Sequence, residues 1–181
     1  MKTLLQLGHG IRLSGEQRRL RIAIDHWNVP FVSTWLGADL VPTSHKRNVG
    51  IVGMCGQGGA NKAVQECEHL IAIGTNLGIP HTTTLTDKFA HKARITVINI
   101  DHDQLENMTV HAGEKICMSV SSWLDTNPKP QASDLWRERC SQLKAKNEIG
   151  NPKASSGVNS YVFNDLMTRM LPPGVTMVID G

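Results

Sequence analysis

Residues 50–59 hold five glycines in ten positions, Gly50, Gly53, Gly56, Gly58 and Gly59, with Met54 and Cys55 among them. Glycine lets the backbone come closer to a ligand, or to another backbone, than any side chain allows. A helix that starts after such a loop offers unpaired N–H groups and a positive dipole end to an anion. A helical run to about Glu68 and an apolar run ending at Gly74 follow. This is chemistry for a nucleotide-type ligand. The same glycines equally suit a loop that only crosses closely over a sheet.

Other reactive side chains are less well placed in sequence. His9 lies between Gly8 and Gly10 with no acid or nucleophile beside it, so nothing marks it as a general base. Cys55 has no identifiable helper base and reads as a structural thiol. Asp101 follows an apolar run and reads either as a ligand contact or as the cap of a helix starting near Asp103. The four cysteines, Cys55, Cys67, Cys117 and Cys140, form no CxxC pair, and the eight histidines form no HExxH. That pattern points away from a metal site and toward reduced thiols in a cytoplasmic protein.

The elements that must position these residues alternate. Apolar runs at 3–7, 29–34, 69–73, 94–100, 115–118 and 175–179 read as strands. Helices are expected after Ser14, with Gln17 completing a capping-box pattern, and at about 59–68, 87–92, 119–125, 133–147 and 159–170. The first of these places Leu20, Ala23, Ile24 and Trp27 on one face and closes at Asn28. Residues 36–56 and 75–86 read as loops, and 148–158 as a linker. Alternation of this kind gives an α/β fold, a doubly wound, Rossmann-like parallel sheet of about six strands. Ligands in such sheets lie beyond the carboxyl ends of the strands, where Gly8–Gly10, Thr34–Leu36, Gly74–Asn76 and Asp101 fall. A chain of 181 residues suits one domain with a tail, and ending on a fresh apolar strand reads as truncation.

Composition narrows the classes. Apolar residues make up 40% and charged residues 19%, with a formal net charge of +3. Arg18, Arg19 and Arg21 are the only tight basic group and read as the wet face of a helix, so nucleic acid is not an expected partner. No apolar run has the length of a membrane span, so no membrane partner is expected either. The tryptophans at 27, 35, 123 and 136 read as core or interface residues, with Trp35 also able to stack on a ring.

Several short segments together resemble the central domain of acetolactate synthase-like, thiamine diphosphate-dependent (TPP) enzymes. They are Leu7–Gly15, Val29–Gly37, Gly50–Gly56 with Ala60-Asn61, Leu70–Gly74, Phe89-Ala90 with Ala93, and Val97–Asp103. The resemblance implies a deoxyhypusine synthase-like NAD/FAD-binding type of fold over residues 1–147. It makes 148–181 a linker, a helix and a first strand leading into a diphosphate-binding domain. In such enzymes the activating glutamate and the Gly-Asp-Gly…Asn motif for magnesium and diphosphate lie in the two flanking domains. The implied function is a non-catalytic central domain, a scaffold with a possible FAD or ADP site, whose partners are the other domains and further copies in a homo-oligomer. Thiamine diphosphate and Mg would lie outside this chain, which alone would be inactive.

Carried over by position, the flavin contacts of the family fall on Gly8, His9, Gly10, Thr34, Trp35, Leu36, Gly53, Met54, Cys55, Gly74 and Asp101. Two positions depart from that pattern. Asn76 stands where flavin binders carry an arginine, and Ser119 where the family usually has an acid near adenine. An arginine there would supply a forked, cationic donor for a phosphate oxygen. Two rival readings remain: a free-standing nucleotide- or NAD-binding module of the same fold type, and a purely structural oligomerisation domain. Leu13 breaks the GxGxxG fingerprint that a dehydrogenase would carry. The cysteines do not supply the paired CxxC zinc site of a sirtuin-like deacylase.

Overall fold

The computed structural model describes residues 1–147 and 157–178. The chain divides into two compact units, Met1–Asn147 and Glu148–Gly181.

The first unit is built on six strands, β1 (Thr3–Leu7), β2 (Phe31–Ser33), β3 (Asn48–Ile51), β4 (His69–Ile73), β5 (Arg94–Asn99) and β6 (Glu114–Cys117). All pairings are parallel, and the order is β3-β2-β1-β4-β5-β6. The order reverses between β1 and β4, which makes the gap beyond their carboxyl ends the switch point of the sheet. β1 is central, and all five of its residues are buried. A strand covered on both faces favours apolar residues, which is why Leu4, Leu5 and Leu7 stand nearly in a row, with Thr3 and Gln6 as buried polar exceptions.

Helices cover both faces. On one lie α1 (Gly10–Leu13), α2 (Gln17–Trp27) and α6 (Val120–Asp125), which bury Ile11, Leu20, Ile24 and Trp123 against Leu5, Leu7 and Ile73. Trp27 meets Trp123 edge-on at a ring-centroid distance of 5.8 Å. On the other lie α3 (Gly58–Glu66), α5 (His102–Glu106) and α7 (Asp134–Ala145). Trp136, Cys140 and Leu143 fall on one stripe of α7 and pack with Ala60, Ala63 and Val64 of α3. Trp136 Nε1 donates to the Thr3 carbonyl at 2.8 Å, and Arg139 pairs with both carboxylate oxygens of Glu66 at 2.8 and 2.7 Å.

The structure departs from the sequence reading at four places. The sixth strand is Asn48–Ile51, inside a stretch read as loop, while residues 175–178 belong to no strand and 179 lies outside the described residues. Asn48 and Gly50 hide β3, because a polar residue and a glycine interrupt its apolar pattern. Ser14 does not cap α2. It closes the preceding short α1, and its hydroxyl donates to the Ile11 carbonyl. The turn of helix α4 (Ile79–Thr82) replaces part of the 75–86 loop, and a 3-10 turn at Thr86–Lys88 stands where a helix over 87–92 was expected. Most of the expected linker at 148–158 lies outside the described residues.

In the second unit, α8 (Ser160–Met170) starts at Asn159, whose side chain accepts from the amides of Tyr161 and Val162. Tyr161, Phe163, Leu166 and Met170 of this helix are exposed.

Candidate functional site

Three strand ends are sewn together by backbone. Gly8 N–H donates to the Ile73 carbonyl, Gly10 N–H to the Gly74 carbonyl and Gly74 N–H to the Ile98 carbonyl, each at 2.9 Å. Such an approach leaves no room for side chains. A Cβ on Gly10 would lie 2.9 Å from Gly74 Cα, and Gly74 itself has φ +62°, a conformation glycine adopts at no cost. The same sewing reaches β2: Thr34 N–H donates to the Leu7 carbonyl at 2.9 Å, and His9 Nδ1 lies 3.1 Å from the Leu36 carbonyl.

Above these ends opens a cleft of about 580 Å³. It sits at the switch point, where the chain leaves β1 in one direction and β4 in the other. Of the eleven residues implied by the resemblance, six line it: His9, Gly10, Thr34, Leu36, Gly74 and Asp101. Gly8 lies beneath, packed on Gly74 and Thr75. Trp35 belongs to a 3-10 turn, Trp35–Gly37, and does not line the cleft.

The glycine loop lies elsewhere. Gly53, Met54 and Cys55 are not among the residues lining the cleft, and Met54 and Cys55 are exposed. Gly53 has φ +126° and takes part in a backbone crossing with α4, where Met54 N–H donates to the Pro80 carbonyl at 3.0 Å. Asn61 of α3 holds Gly53 from both sides, its Oδ1 accepting from the Gly53 N–H and its Nδ2 donating to the Gly53 carbonyl, each at 2.9 Å. Gly53 therefore has a full structural reason to be glycine.

The cleft also recruits residues that the motif reading passed over. Asn99 ends β5, Ile100 and Gln104 follow it, and His81 comes from α4. Their signal in sequence is position alone: Asn99 and Ile100 come directly at the end of an apolar run. Around Asp101 these residues form a closed network. Asn99 Oδ1 accepts from the Asp101 N–H at 3.1 Å, Asp101 Oδ1 accepts from the Gln104 N–H at 3.0 Å, and Asn99 Nδ2 donates to Gln104 Oε1 at 3.2 Å. Asp101 is thus the N-cap of α5. The two departing positions have local work as well. Asn76 Oδ1 accepts from the Gly78 N–H at 3.1 Å, and Ser119 caps α6 by accepting from the Ser122 N–H at 3.0 Å.

The electrostatics of the cleft are simple. Among the described residues, no lysine or arginine lines it. Arg12 of α1 is engaged with Asp39. Burial pushes the His81 pKa down from its ordinary value near 6.5, which favours the neutral imidazole. Without a side-chain cation these residues fit a diphosphate poorly, since charged donors hold phosphate oxygens most strongly. Among the described residues, no three His, Cys, Asp or Glu side chains converge as a metal would require, and no helix is long and apolar enough to cross a membrane.

Comparison with known proteins gives a consistent answer. The profile described as thiamine pyrophosphate enzyme, central domain, matches residues 1–125. An acetolactate synthase large subunit of Pyropia yezoensis is 25% identical over 168 residues, which is 88% of this chain and 28% of that protein. A 3D-(3,5/4)-trihydroxycyclohexane-1,2-dione hydrolase of Bacillus subtilis (strain 168) is 27% identical over 178 residues, 91% of this chain and 28% of the other. An acetolactate synthase large subunit of Lactococcus lactis subsp. lactis (strain IL1403) is 32% identical over 104 residues, 58% of this chain and 18% of the other. The chain therefore spans under a third of the length of these relatives.

Proposed function

Because the chain belongs to the family of thiamine pyrophosphate enzyme central domains, we propose that it is the non-catalytic middle of an acetolactate synthase-like enzyme. In this reading it is a scaffold in the cytoplasm that holds its flanking domains, and further copies of itself, in place. Thiamine diphosphate and Mg²⁺ belong to those other domains. The switch-point cleft is a small-molecule site of nucleotide type, inherited from the fold. FAD or ADP, the ligands the family resemblance suggests, are poorly served there, because no lysine or arginine among the described residues lines the cleft to meet a diphosphate.

One observation carries the reading of the cleft. Six side chains and glycines from four separate sequence segments, expected to meet at a ligand, do line one cavity at the sheet's topological switch point. The scaffold reading is supported by the chemistry of that lining. Among the described residues its titratable groups are His9, His81 and Asp101, and Asp101 is committed to capping a helix. No nucleophile with an adjacent base stands among them.

The test is turnover by the purified chain supplied with pyruvate, thiamine diphosphate and Mg²⁺. The expected result is no acetolactate and no decarboxylation above the protein-free control. Turnover by this chain alone would overturn the scaffold reading.

A further inference from the structure

We propose that the switch-point cleft is selective for a nucleoside-like ligand, a flat ring carrying hydroxyl groups and no phosphate, over a nucleoside diphosphate or dinucleotide. This rests on the cleft being a small-molecule site of nucleotide type.

Charge is the first reason. Among the described residues, Asp101 is the only carboxylate in the lining and no lysine or arginine offsets it, so a diphosphate would enter a site that already holds a negative group. The position able to reverse this is Asn76. It is a neutral carboxamide whose oxygen is engaged by the Gly78 amide in its own turn.

Helix ends are the second. An anion needs free N–H groups at a helix start. α5 and α6 each give one of their first amides to a cap, Gln104 N–H to the Asp101 carboxylate and Ser122 N–H to the Ser119 hydroxyl; the cap of α5 is itself negative, and neither helix is longer than six residues. α1 is a single turn of four residues, too short to present a dipole.

What the lining does offer suits an uncharged ring. Leu13, Leu36 and Ile100 border the cleft and are 77%, 69% and 73% exposed. Large apolar side chains left this open around one cavity gain when a flat apolar surface covers them. Beside them, the Asn99–Asp101–Gln104 network fixes a hydrogen-bonding edge. Its internal bonds use Asp101 Oδ1 and Gln104 Oε1 and leave Asp101 Oδ2 as acceptor and Gln104 Nε2 as donor. A carboxylate oxygen held in this way accepts well from hydroxyls, such as the diol of a sugar.

The experiment is calorimetric titration of the chain with adenosine, ADP and inorganic pyrophosphate, for the wild type and for Asn76→Arg. Adenosine is expected to bind roughly tenfold tighter than ADP, or better, and pyrophosphate to give no saturable heat. Asn76→Arg is expected to tighten ADP by about tenfold and to leave adenosine within about twofold. Asp101→Asn, which keeps a capping side chain, gives a second reading if the Asn76 turn does not tolerate arginine, and should also favour ADP. ADP binding as tightly as adenosine to the wild type would overturn the selectivity and leave the cleft standing as a small-molecule site. An equal gain for both ligands in Asn76→Arg would overturn it as well. Silence of adenosine and ADP on a folded sample would overturn the small-molecule site itself, and the selectivity with it.

Discussion

Gly8 and Gly74 touch backbone to backbone at the base of the cleft, and a methyl group added to Gly8 would run into the Gly74 carbonyl oxygen and lie 2.6 Å from Thr75 Cβ. The obstacle is a strand end already tied by three hydrogen bonds, so it has nowhere to move. Gly8→Ala is therefore expected to cost about 2–3 kcal/mol in chemical denaturation. Gly58 is the contrast. It opens α3 with nothing within 4 Å of an added Cβ, so Gly58→Ala should be neutral or stabilise by about 0.5 kcal/mol. Equal costs at the two positions would remove the packing explanation.

Asp101 has two separable roles, cap and charge. Asp101→Ala removes the acceptor for the Gln104 amide and should cost about 1 kcal/mol, while Asp101→Asn should keep most of that stability. Thermal melts of the two variants check this. A cost for asparagine as large as for alanine would show that the charge and not the cap stabilises α5.

The Glu66–Arg139 pair gives a pH signature. The hydrogen bond from Arg139 is the main reason the Glu66 carboxyl titrates below its ordinary value near 4.5, with burial opposing and Lys62 and Lys2 assisting. A carboxyl whose folded pKa is depressed stabilises the protein above its unfolded value. That contribution disappears as pH falls through the folded value. Glu66→Gln should thus lower Tm by about 1–3 °C at pH 7 and by less at pH 3. A difference that stays constant down to pH 3 would contradict the assignment.

The four thiols should split by burial. Cys67 and Cys140 lie between α3 and α7, and burial pushes both up to about 12, whereas Cys55 and Cys117 are exposed. A thiol reagent at pH 8 is expected to label Cys55 and Cys117 quickly in the native chain and the other two only on unfolding. Rapid labelling of Cys67 or Cys140 without unfolding would show that the α3–α7 interface opens.

Much of this was legible where burial alone decides sequence. β1, β4 and β5 are covered on both faces, so they are apolar runs that nothing else explains. α2 showed through the spacing of Leu20 and Ile24 and the left-handed Asn28 that ends it. β3 did not show, because an edge strand needs fewer apolar residues and Gly50 breaks even those. The Ser14-to-Gln17 spacing misled because a capping box is a local pattern, and the local pattern does not register that Ser14 closes an earlier turn.

The site was legible in part for a related reason. Residues directly at strand ends, such as Gly10, Thr34, Gly74 and Asp101, must come together once the sheet is parallel. The Gly53–Cys55 loop carries the strongest motif and lies away from the cleft lining. Gly53 serves the crossing with Pro80 and the grip of Asn61, a demand on the backbone that resembles ligand binding in sequence.

The measurement that bears most directly on the account is amide chemical-shift mapping of the isotope-labelled chain during titration with adenosine. The account predicts saturating shifts at Gly10, Thr34, Gly74, Asp101 and Gln104, with Met54 and Cys55 unmoved. Shifts confined to the 50–59 loop, or none at all on a folded sample, would contradict it.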